Sequence, residues 1–383
     1  MKILIITGPL YPSVGNNANL IRKLVPFLSE KNEVRILSAA FGADTASLPE
    51  ELFGVPVYFA VSSASDIQRR LKAKIVDRNG YSDYIGSESL KDKALEIKKE
   101  YDYDAVLATC EPFIAACAAS KLPCSVKTLY IMDPPNSVCN KDKSTKFRDT
   151  EFPQILKKCT GIVTTPFIKE ALIKSGFGEY SDKMTTLGFP MIENHEVSQA
   201  EEKNEKTNLL FCGWLYSDIR SPKYFLDIVS RLDESYIVTF MGKECDSLMS
   251  RFEINTKAEI VTLPQQPYDK ALEAMEKADI LINIGNSVPV HMPSKTLEYI
   301  NTGKPFVNFY KFEACPTLYY TKRYPLCLNL YEGDTDTEGA VEKFRAFCET
   351  NKGKKVSREL VEKEFEDCTP EYIAKKILDG LVN

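Results

Sequence analysis

Only two histidines, His195 and His291, occur in 383 residues, so a metal centre built from clustered imidazoles is excluded. The eleven cysteines stand singly, as at Cys110, Cys117, Cys124, Cys139, Cys159 and Cys212, and no CxxC pair is present. That spacing suits neither a zinc site nor a dense disulfide framework, and it reads as reduced, buried thiols. No run of about 18 apolar residues exists, so no membrane-spanning helix is expected. The apolar opening Met1 to Pro9 is too short for a secretory signal and reads as a buried first strand. Neither half carries a GxGxxG strand-to-helix turn, which disfavours a nicotinamide oxidoreductase. Basic residues do not predominate: 49 Lys plus Arg face 54 Asp plus Glu, a net charge of -5, with no basic stripe or tail. Nucleic acid is therefore not an expected partner. Sequence repeats, low-complexity tracts and coiled-coil heptads are also missing.

What the chain does contain is enough apolar material, 44% of residues, for two cores, since a single core stops growing near about 250 to 300 residues. Short buried runs alternate with longer amphipathic ones in both halves. The strands expected first are Ile3 to Thr7, Val34 to Ser38, Val57 to Ala60, Ala105 to Ala108, Thr128 to Met132 and Gly161 to Thr164. Helical patterns separate them, near Asn17 to Ser29, Ser65 to Val76, Glu88 to Glu100, Phe113 to Ser120, Thr150 to Lys158 and Phe167 to Ser175. This alternation predicts a parallel, doubly wound α/β sheet. The polar run Ser198 to Asn208 is the linker candidate. Beyond it the alternation restarts, with strands at Leu209 to Cys212, Tyr236 to Met241, Glu259 to Leu263, Ile280 to Ile284, Pro305 to Asn308 and Leu326 to Leu328. Helices are expected at Pro222 to Leu232, Lys243 to Phe252, Tyr268 to Lys277 and Pro293 to Thr302, and three more between Thr337 and Val382. The expected domains are residues 1–190 and 205–369, with a last helix, about 370–383, packing back on the first.

One stretch carries most of the chemistry. From His291 to Val307, Pro293 occupies a favoured helix-start position, Gly303 follows the last turn and Pro305 forbids continuation. The first-turn amides of Ser294, Lys295 and Thr296 lack intrahelical acceptors in such a helix, and its dipole adds partial positive charge there. A phosphate would satisfy them. Lys295 opposes that dipole, a conflict that an external anion removes. Ser294, Lys295 and Glu298 share one face, whereas Leu297, Ile300 and part of Tyr299 turn toward a core. The simpler alternative is a solvated Lys-Glu pair on an ordinary surface helix.

Several landmarks in order resemble the GT-B glycosyltransferases of the family 4 type, enzymes that use nucleotide sugars to build bacterial glycans. Phe211-Cys212-Gly213-Trp214-Leu215 resembles the strand and glycine turn that open the family's donor domain. The basic residue that follows, which contacts the donor diphosphate, matches Arg220 better than Lys223. Met241-Gly242-Lys243 resembles the second glycine turn, Val261-Thr262-Leu263-Pro264 the segment bordering the base, and Ala278-Asp279-Ile280 the start of the next strand. Pro293-Ser294-Lys295-Thr296-Leu297-Glu298-Tyr299 resembles the donor-binding helix, whose glutamate holds the ribose hydroxyls. Two departures are plain. The family's usual first glutamate would fall at Val290, and an arginine common after the first glycine is replaced by Trp214.

In the N-terminal half, Tyr11 to Asn17 resembles the glycine-rich loop near the reacting centre, with Gly15 retained and Asn16 where a second glycine is common. The residue-level alternative is an Asn-rich turn and helix cap. Glu111 and Asp133 stand at expected strand ends, the carboxyl edge that faces ligands in doubly wound folds; a structural Asp accepting loop amides is the alternative.

The resemblance implies two Rossmann-like domains facing across a central cleft. It also implies transfer of a sugar from a nucleotide-diphosphate sugar, UDP-linked above all, to a glycan or lipid-linked acceptor in bacterial surface polysaccharide synthesis. The diphosphate leaving group would be met by the helix amides, Lys295 and Arg220. The expected donor contacts are thus Gly213, Trp214, Arg220, Leu263, Ser294, Lys295, Thr296 and Glu298. No cofactor and no metal are expected, since no DxD-like pair stands at a convincing strand end. Transfer in the family usually retains anomeric configuration. An inverting reaction would need a general base, for which Asp133 is the candidate. His291 abuts the donor helix and is a candidate contact to phosphate or sugar, or else a loop histidine without a role. A cytoplasmic protein is expected. Arg69, Arg70, Lys72 and Lys74 around Leu71 would let it rest on the anionic inner face of a membrane, unless they form only a solvated helix face. Two other readings stay open: a catalytically inactive nucleotide-sugar binding or scaffold subunit, and a GT-B-like nucleotide-sugar epimerase.

Overall fold

The computed structural model describes residues 1–11, 16–40, 48–61, 83–110, 113–134, 147–193 and 205–382. The chain divides into two compact units, Met1–Pro190 with Asp367–Asn383, and Met191–Glu366. Each is a helix-flanked, parallel sheet.

The first unit's strands are β1 (Lys2–Thr7), β2 (Glu33–Ala40), β3 (Glu51–Leu52), β4 (Val55–Val61), β5 (Ala105–Cys110), β6 (Val126–Ile131), β7 (Gly161–Thr164) and β8 (Met184–Thr186). They lie in the order β3-β4-β2-β1-β5-β6-β7-β8, with all neighbours parallel except the β3-β4 hairpin. Ile3, Leu4, Ile5 and Ile6 are all fully buried, because helices cover both faces of a parallel sheet and alternation gives way to a continuous apolar run. Helices Asp83–Glu100 and Ile114–Ser120 supply Leu90, Ala94 and Ala115 to its core. The last helix, Pro370–Val382, packs against Asn16–Ser29 within this unit.

The second unit's strands are β9 (Thr207–Cys212), β10 (Tyr236–Met241), β11 (Glu259–Leu263), β12 (Ile280–Ile284), β13 (Phe306–Tyr310) and β14 (Cys327–Tyr331). They form an all-parallel sheet in the order β11-β10-β9-β12-β13-β14. Phe211, Phe225, Phe240, Phe309 and Phe344 fill its core. Polar groups run through the same sheet. Asn283, Asn308 and Asn329 sit at matched register positions on β12, β13 and β14. The amide of Asn283 donates to Asn308 Oδ1 at 2.7 Å, and Asn308 Nδ2 donates to Asn329 Oδ1 at 2.8 Å and to Thr317 Oγ1 at 3.1 Å.

The strong alternating pattern thus became two doubly wound sheets. Short elements escaped it: β3 and β8 hold two and three residues, and helix Thr317–Thr321 only five, too few for a period to show. Helix Phe152–Lys158 is preceded by a π turn, Phe147–Glu151, and Pro166–Leu172 runs into another at Ile173–Phe177. The helix expected at Ser65 to Val76, with its basic residues, lies outside the described residues. Among the described residues no helix is long and apolar enough to cross a membrane.

Candidate active site

In the second sheet β9 and β12 are neighbours whose successors lie on opposite sides, β10 one way and β13 the other. Such a reversal opens a crevice at the carboxyl ends of the two strands, where doubly wound folds bind ligands. The ladder between them pairs Leu209 with Ile280 through Phe211 with Ile282. At the next position Tyr299 takes over: its phenol oxygen accepts from the Cys212 amide at 3.0 Å and donates to the Cys212 carbonyl at 3.3 Å. On the other side of β9, the Gly213 amide donates to Met241 O at 2.9 Å, and the Gly242 amide donates to Leu263 O at 3.0 Å. Leu263, Gly242 and Gly213 therefore step across three adjacent strand ends. Gly242 has φ of 142° and a Cβ there would lie 1.9 Å from Gly213 O, so only glycine fits.

Arg220 stands over this edge. Tyr216 and Arg220 exchange backbone hydrogen bonds at 3.3 Å in both directions, closing the loop after Gly213 on itself. Arg220 Nη1 donates to Trp214 O at 3.1 Å, and Nε donates to Asn286 Oδ1 at 3.0 Å. Both acceptors are neutral. Burial lowers the guanidinium's pKa, opposed by Tyr216 and Tyr299, and among the described residues it forms no salt bridge. A half-buried cation without a counter-ion is a site for an anion. Trp214, 38% exposed, stacks on Tyr216 with centroids 4.6 Å apart, and Lys243 Nζ lies 4.0 Å from the Trp214 ring centroid. The indole thus brings a second cation to the same edge.

The donor-type helix departs from its sequence outline in three ways. It runs Lys295–Thr302 with Ser294 as its N-cap, so Pro293 precedes the cap and is not the first helical residue. Next, the Thr296 amide is not free: it donates to Pro293 O at 3.1 Å in a tight first turn, and the Thr296 side chain is wholly buried. Thr296 thus drops out as a surface amide donor, because the first turn tightens and closes on Pro293. Among the described residues the amides of Ser294 and Lys295 remain without acceptors. Finally, Lys295 is already partnered by Glu298 through a short hydrogen bond. Side-chain exposures of 21% and 12% show that this pair is not the solvated one of the simpler reading. Burial pulls Lys295 down in pKa, but the Glu298 carboxylate, aided by Cys212, more than reverses it, and the net direction is up. The dipole conflict is resolved inside the helix. Leu297, Tyr299 and Ile300 are fully buried.

His291 lies between these parts. Its carbonyl accepts from Asn286 Nδ2 at 2.8 Å, and its buried Nε2 has no partner among the described residues. Val290, at the position of the absent glutamate, is 8% exposed. Asn286, Lys243 and the phenol of Tyr299 were not singled out by sequence reasoning. Asn286 follows the end of β12 by two residues, and the strand-end rule that picked out Asp133 would have found it.

In the first unit, Asp133 stands two residues beyond β6 and is half-buried. Asn16 opens helix Asn16–Ser29. Gly15, Glu111 and His195 lie outside the described residues. Strands β1 and β5 flank the reversal in this sheet, and the Thr109 hydroxyl donates to Thr7 Oγ1 at 3.1 Å across it. Among the described residues no group of three or more His, Cys, Asp or Glu side chains could hold a metal ion.

No family model matches the chain, and no curated protein does. Solved structures match along its whole length. The lipopolysaccharide outer core galactosyltransferase WaaB, in its apo form, has a TM-score of 0.62 at 13% identity, covering 100% of this chain and 99% of WaaB. Trehalose-6-phosphate protein from E. coli bound with UDP-2-fluoro glucose has a TM-score of 0.70 at 10% identity, with 100% and 99% covered. The fold is GT-B. UDP-GlcNAc 2-epimerase from Neisseria meningitidis, bound to UDP-GlcNAc, is similar too, with a TM-score of 0.58, 13% identity and 100% of both chains covered. At these identities the likeness carries the GT-B architecture, and chemistry must come from the residues at the crevice.

Proposed function

We propose that this GT-B chain is a glycosyltransferase that takes a sugar from a nucleotide-diphosphate sugar, UDP-linked, and passes it to a glycan or lipid-linked acceptor in bacterial surface polysaccharide synthesis. The observation that carries the reading is Arg220: among the described residues a cation without a carboxylate partner, held by neutral acceptors at the sheet reversal and linked through Asn286 to His291, which precedes the helix start where the Ser294 and Lys295 amides lack acceptors among the described residues. Breaking the bond between sugar and diphosphate places negative charge on the leaving group. Fixed donors that meet this charge stabilise the transition state more than the ground state. Arg220 and the helix start supply them without a metal, and Glu298, fixed by Lys295, accepts from ribose hydroxyls. The buried Nε2 of His291, without a partner among the described residues, is the candidate contact to the phosphate or sugar.

The finer assignments belong to the same proposal. Transfer retains anomeric configuration, and Asp133 would serve as general base only in an inverting reaction. The acceptor is presented at the inner face of a membrane, where Arg69, Arg70, Lys72 and Lys74 meet anionic lipid.

The test is a panel of nucleotide sugars scored by thermal shift and donor hydrolysis, with and without EDTA, the product's anomeric configuration being read by NMR. Stabilisation by UDP-sugars and EDTA-resistant turnover are expected. Lack of binding to every nucleotide would sink the donor-site assignment, and C2 inversion of the donor sugar would mark an epimerase instead. Binding without turnover under every acceptor tried would identify an inactive subunit. Vesicle co-sedimentation tests the membrane contact: binding that does not depend on anionic lipid would remove it.

A further inference from the structure

Asn286 is 6% exposed and sits between two functional groups. Its Oδ1 accepts from Arg220 Nε at 3.0 Å, and its Nδ2 donates to the His291 carbonyl at 2.8 Å. These two contacts fix which way the amide points, since only this orientation matches each donor to an acceptor. Neighbouring bonds lock the loop that carries it: the Ser287 amide donates to Ile219 O at 2.8 Å, and Ser287 Oγ to Asp218 O at 3.1 Å. The segments leaving β9 and β12, on either side of the reversal, are thereby joined at Asn286 and Ser287.

The type of acceptor matters more than its presence. Asparagine and aspartate have the same shape, yet a carboxylate at this position would form a charge-assisted pair with Arg220 and neutralise it. An amide oxygen orients the guanidinium and leaves its charge intact. A guanidinium has five N–H donors, so after the bonds to Asn286 and Trp214 three have no acceptor among the described residues, one on Nη1 and two on Nη2.

We propose that Asn286 is a positioning residue that aims Arg220 while keeping it uncompensated, and so sets how strongly the crevice prefers a nucleoside diphosphate to a monophosphate. The proposal rests on the nucleotide-sugar reading above. The contribution of the terminal phosphate is then read directly from the ratio of UDP to UMP affinity. General weakening of the loop would lower both affinities together, whereas loss of the Arg220 charge lowers UDP selectively.

Calorimetric titration of UDP, UMP and uridine into the wild type, Asn286→Asp and Asn286→Ala provides the test. Circular dichroism shows whether each variant is folded. Asn286→Asp is expected to reduce the UDP-to-UMP ratio on the order of tenfold, because the nearby carboxylate competes with phosphate. Asn286→Ala frees Nε without neutralising it, and a fall of only a few-fold is expected. The order Asn, Ala, Asp in the UDP-to-UMP ratio is the signature, since both variants lose the bond to the His291 carbonyl and only Asp adds a charge beside Arg220. A ratio unchanged in both variants, or one reduced more in Ala than in Asp, overturns the proposal. If Asn286→Asp does not fold, Asn286→Ala decides alone: a reduced ratio supports the proposal and an unchanged one overturns it. A wild type that binds none of the three compounds overturns the nucleotide-sugar reading itself, an outcome distinct from an unchanged ratio.

Discussion

Tyr299 completes the hydrogen bonding of Cys212 where the β9-β12 ladder ends, its phenol accepting from the amide at 3.0 Å and donating to the carbonyl at 3.3 Å. The sheet can open at its reversal without leaving the amide and carbonyl of Cys212 unpaired, and the donor-type helix is tied to the first glycine turn by the same atom. Tyr299→Phe keeps the ring and removes that atom. Two buried groups are orphaned, at about 1–3 kcal/mol each, so a lower urea midpoint is expected along with weaker UDP binding. An unchanged midpoint would show that the phenol is not needed.

Gly242→Ala tests the strand-end staircase. Its φ of 142° and the 1.9 Å approach to Gly213 O leave no room for a methyl group, and the obstacle is backbone, which cannot swing aside. We expect the Gly213 turn to be displaced, with UDP binding lost before the unit unfolds. Thermal scans with and without UDP separate the two effects. A variant that still gains stability from UDP as the wild type does would contradict the role given to this turn.

The two doubly wound sheets were legible in the sequence because buried parallel strands read as nearly continuous apolar runs, as in Ile3 to Ile6 and, with Asn283 as its one polar residue, Ile280 to Ile284. The start of the donor-type helix was legible in outline only. Its proline, lysine and glutamate were plain, but whether Lys295 faced water, an anion or Glu298 depended on the burial of the pair, which no spacing reveals. The tightened first turn at Thr296 escaped for a similar reason, since Ser294 takes up helical φ and ψ as the cap without its side chain bonding the helix. The strand-end position of Asn286 was legible, but its role was not, because a lone asparagine after a strand resembles any turn residue. Its meaning appears only when the fold brings it to Arg220, 66 positions away in the chain.

Lys295 sets no alkaline limit on UDP binding below its own raised pKa. Its pKa is shifted upward on balance, the Glu298 carboxylate outweighing burial. A raised lysine contributes stability that is fully present below its unfolded value, about 10.4, and that is lost as pH rises through the higher folded one. Nothing therefore changes at Lys295 between about pH 7 and 9. Affinity should rise from pH 5 to 7 as the terminal phosphate loses its second proton near about 6, then stay level. Titrations at constant ionic strength check this. A fall between pH 7 and 9 would mean that Lys295 loses its proton there, against the direction given.

The last prediction concerns the amide ladder, which lies in the same sheet as the crevice. Asn308 is wholly buried and joins Asn283, Asn329 and Thr317. Asn308→Ala removes an acceptor for one neighbour and donors for two others, and a loss of about 3 kcal/mol is expected, since each stranded group keeps its full desolvation cost. Replacing all three asparagines by valine strands none of their amides, and branched side chains suit a parallel strand buried on both faces. The triple variant should therefore be less destabilised than the sum of the three single Asn→Val variants, with a coupling of about 1–3 kcal/mol in a mutant cycle. Urea denaturation of the full set measures that coupling. Simple additivity would mean that the three amides act independently, and that the matched register of Asn283, Asn308 and Asn329 has no energetic consequence.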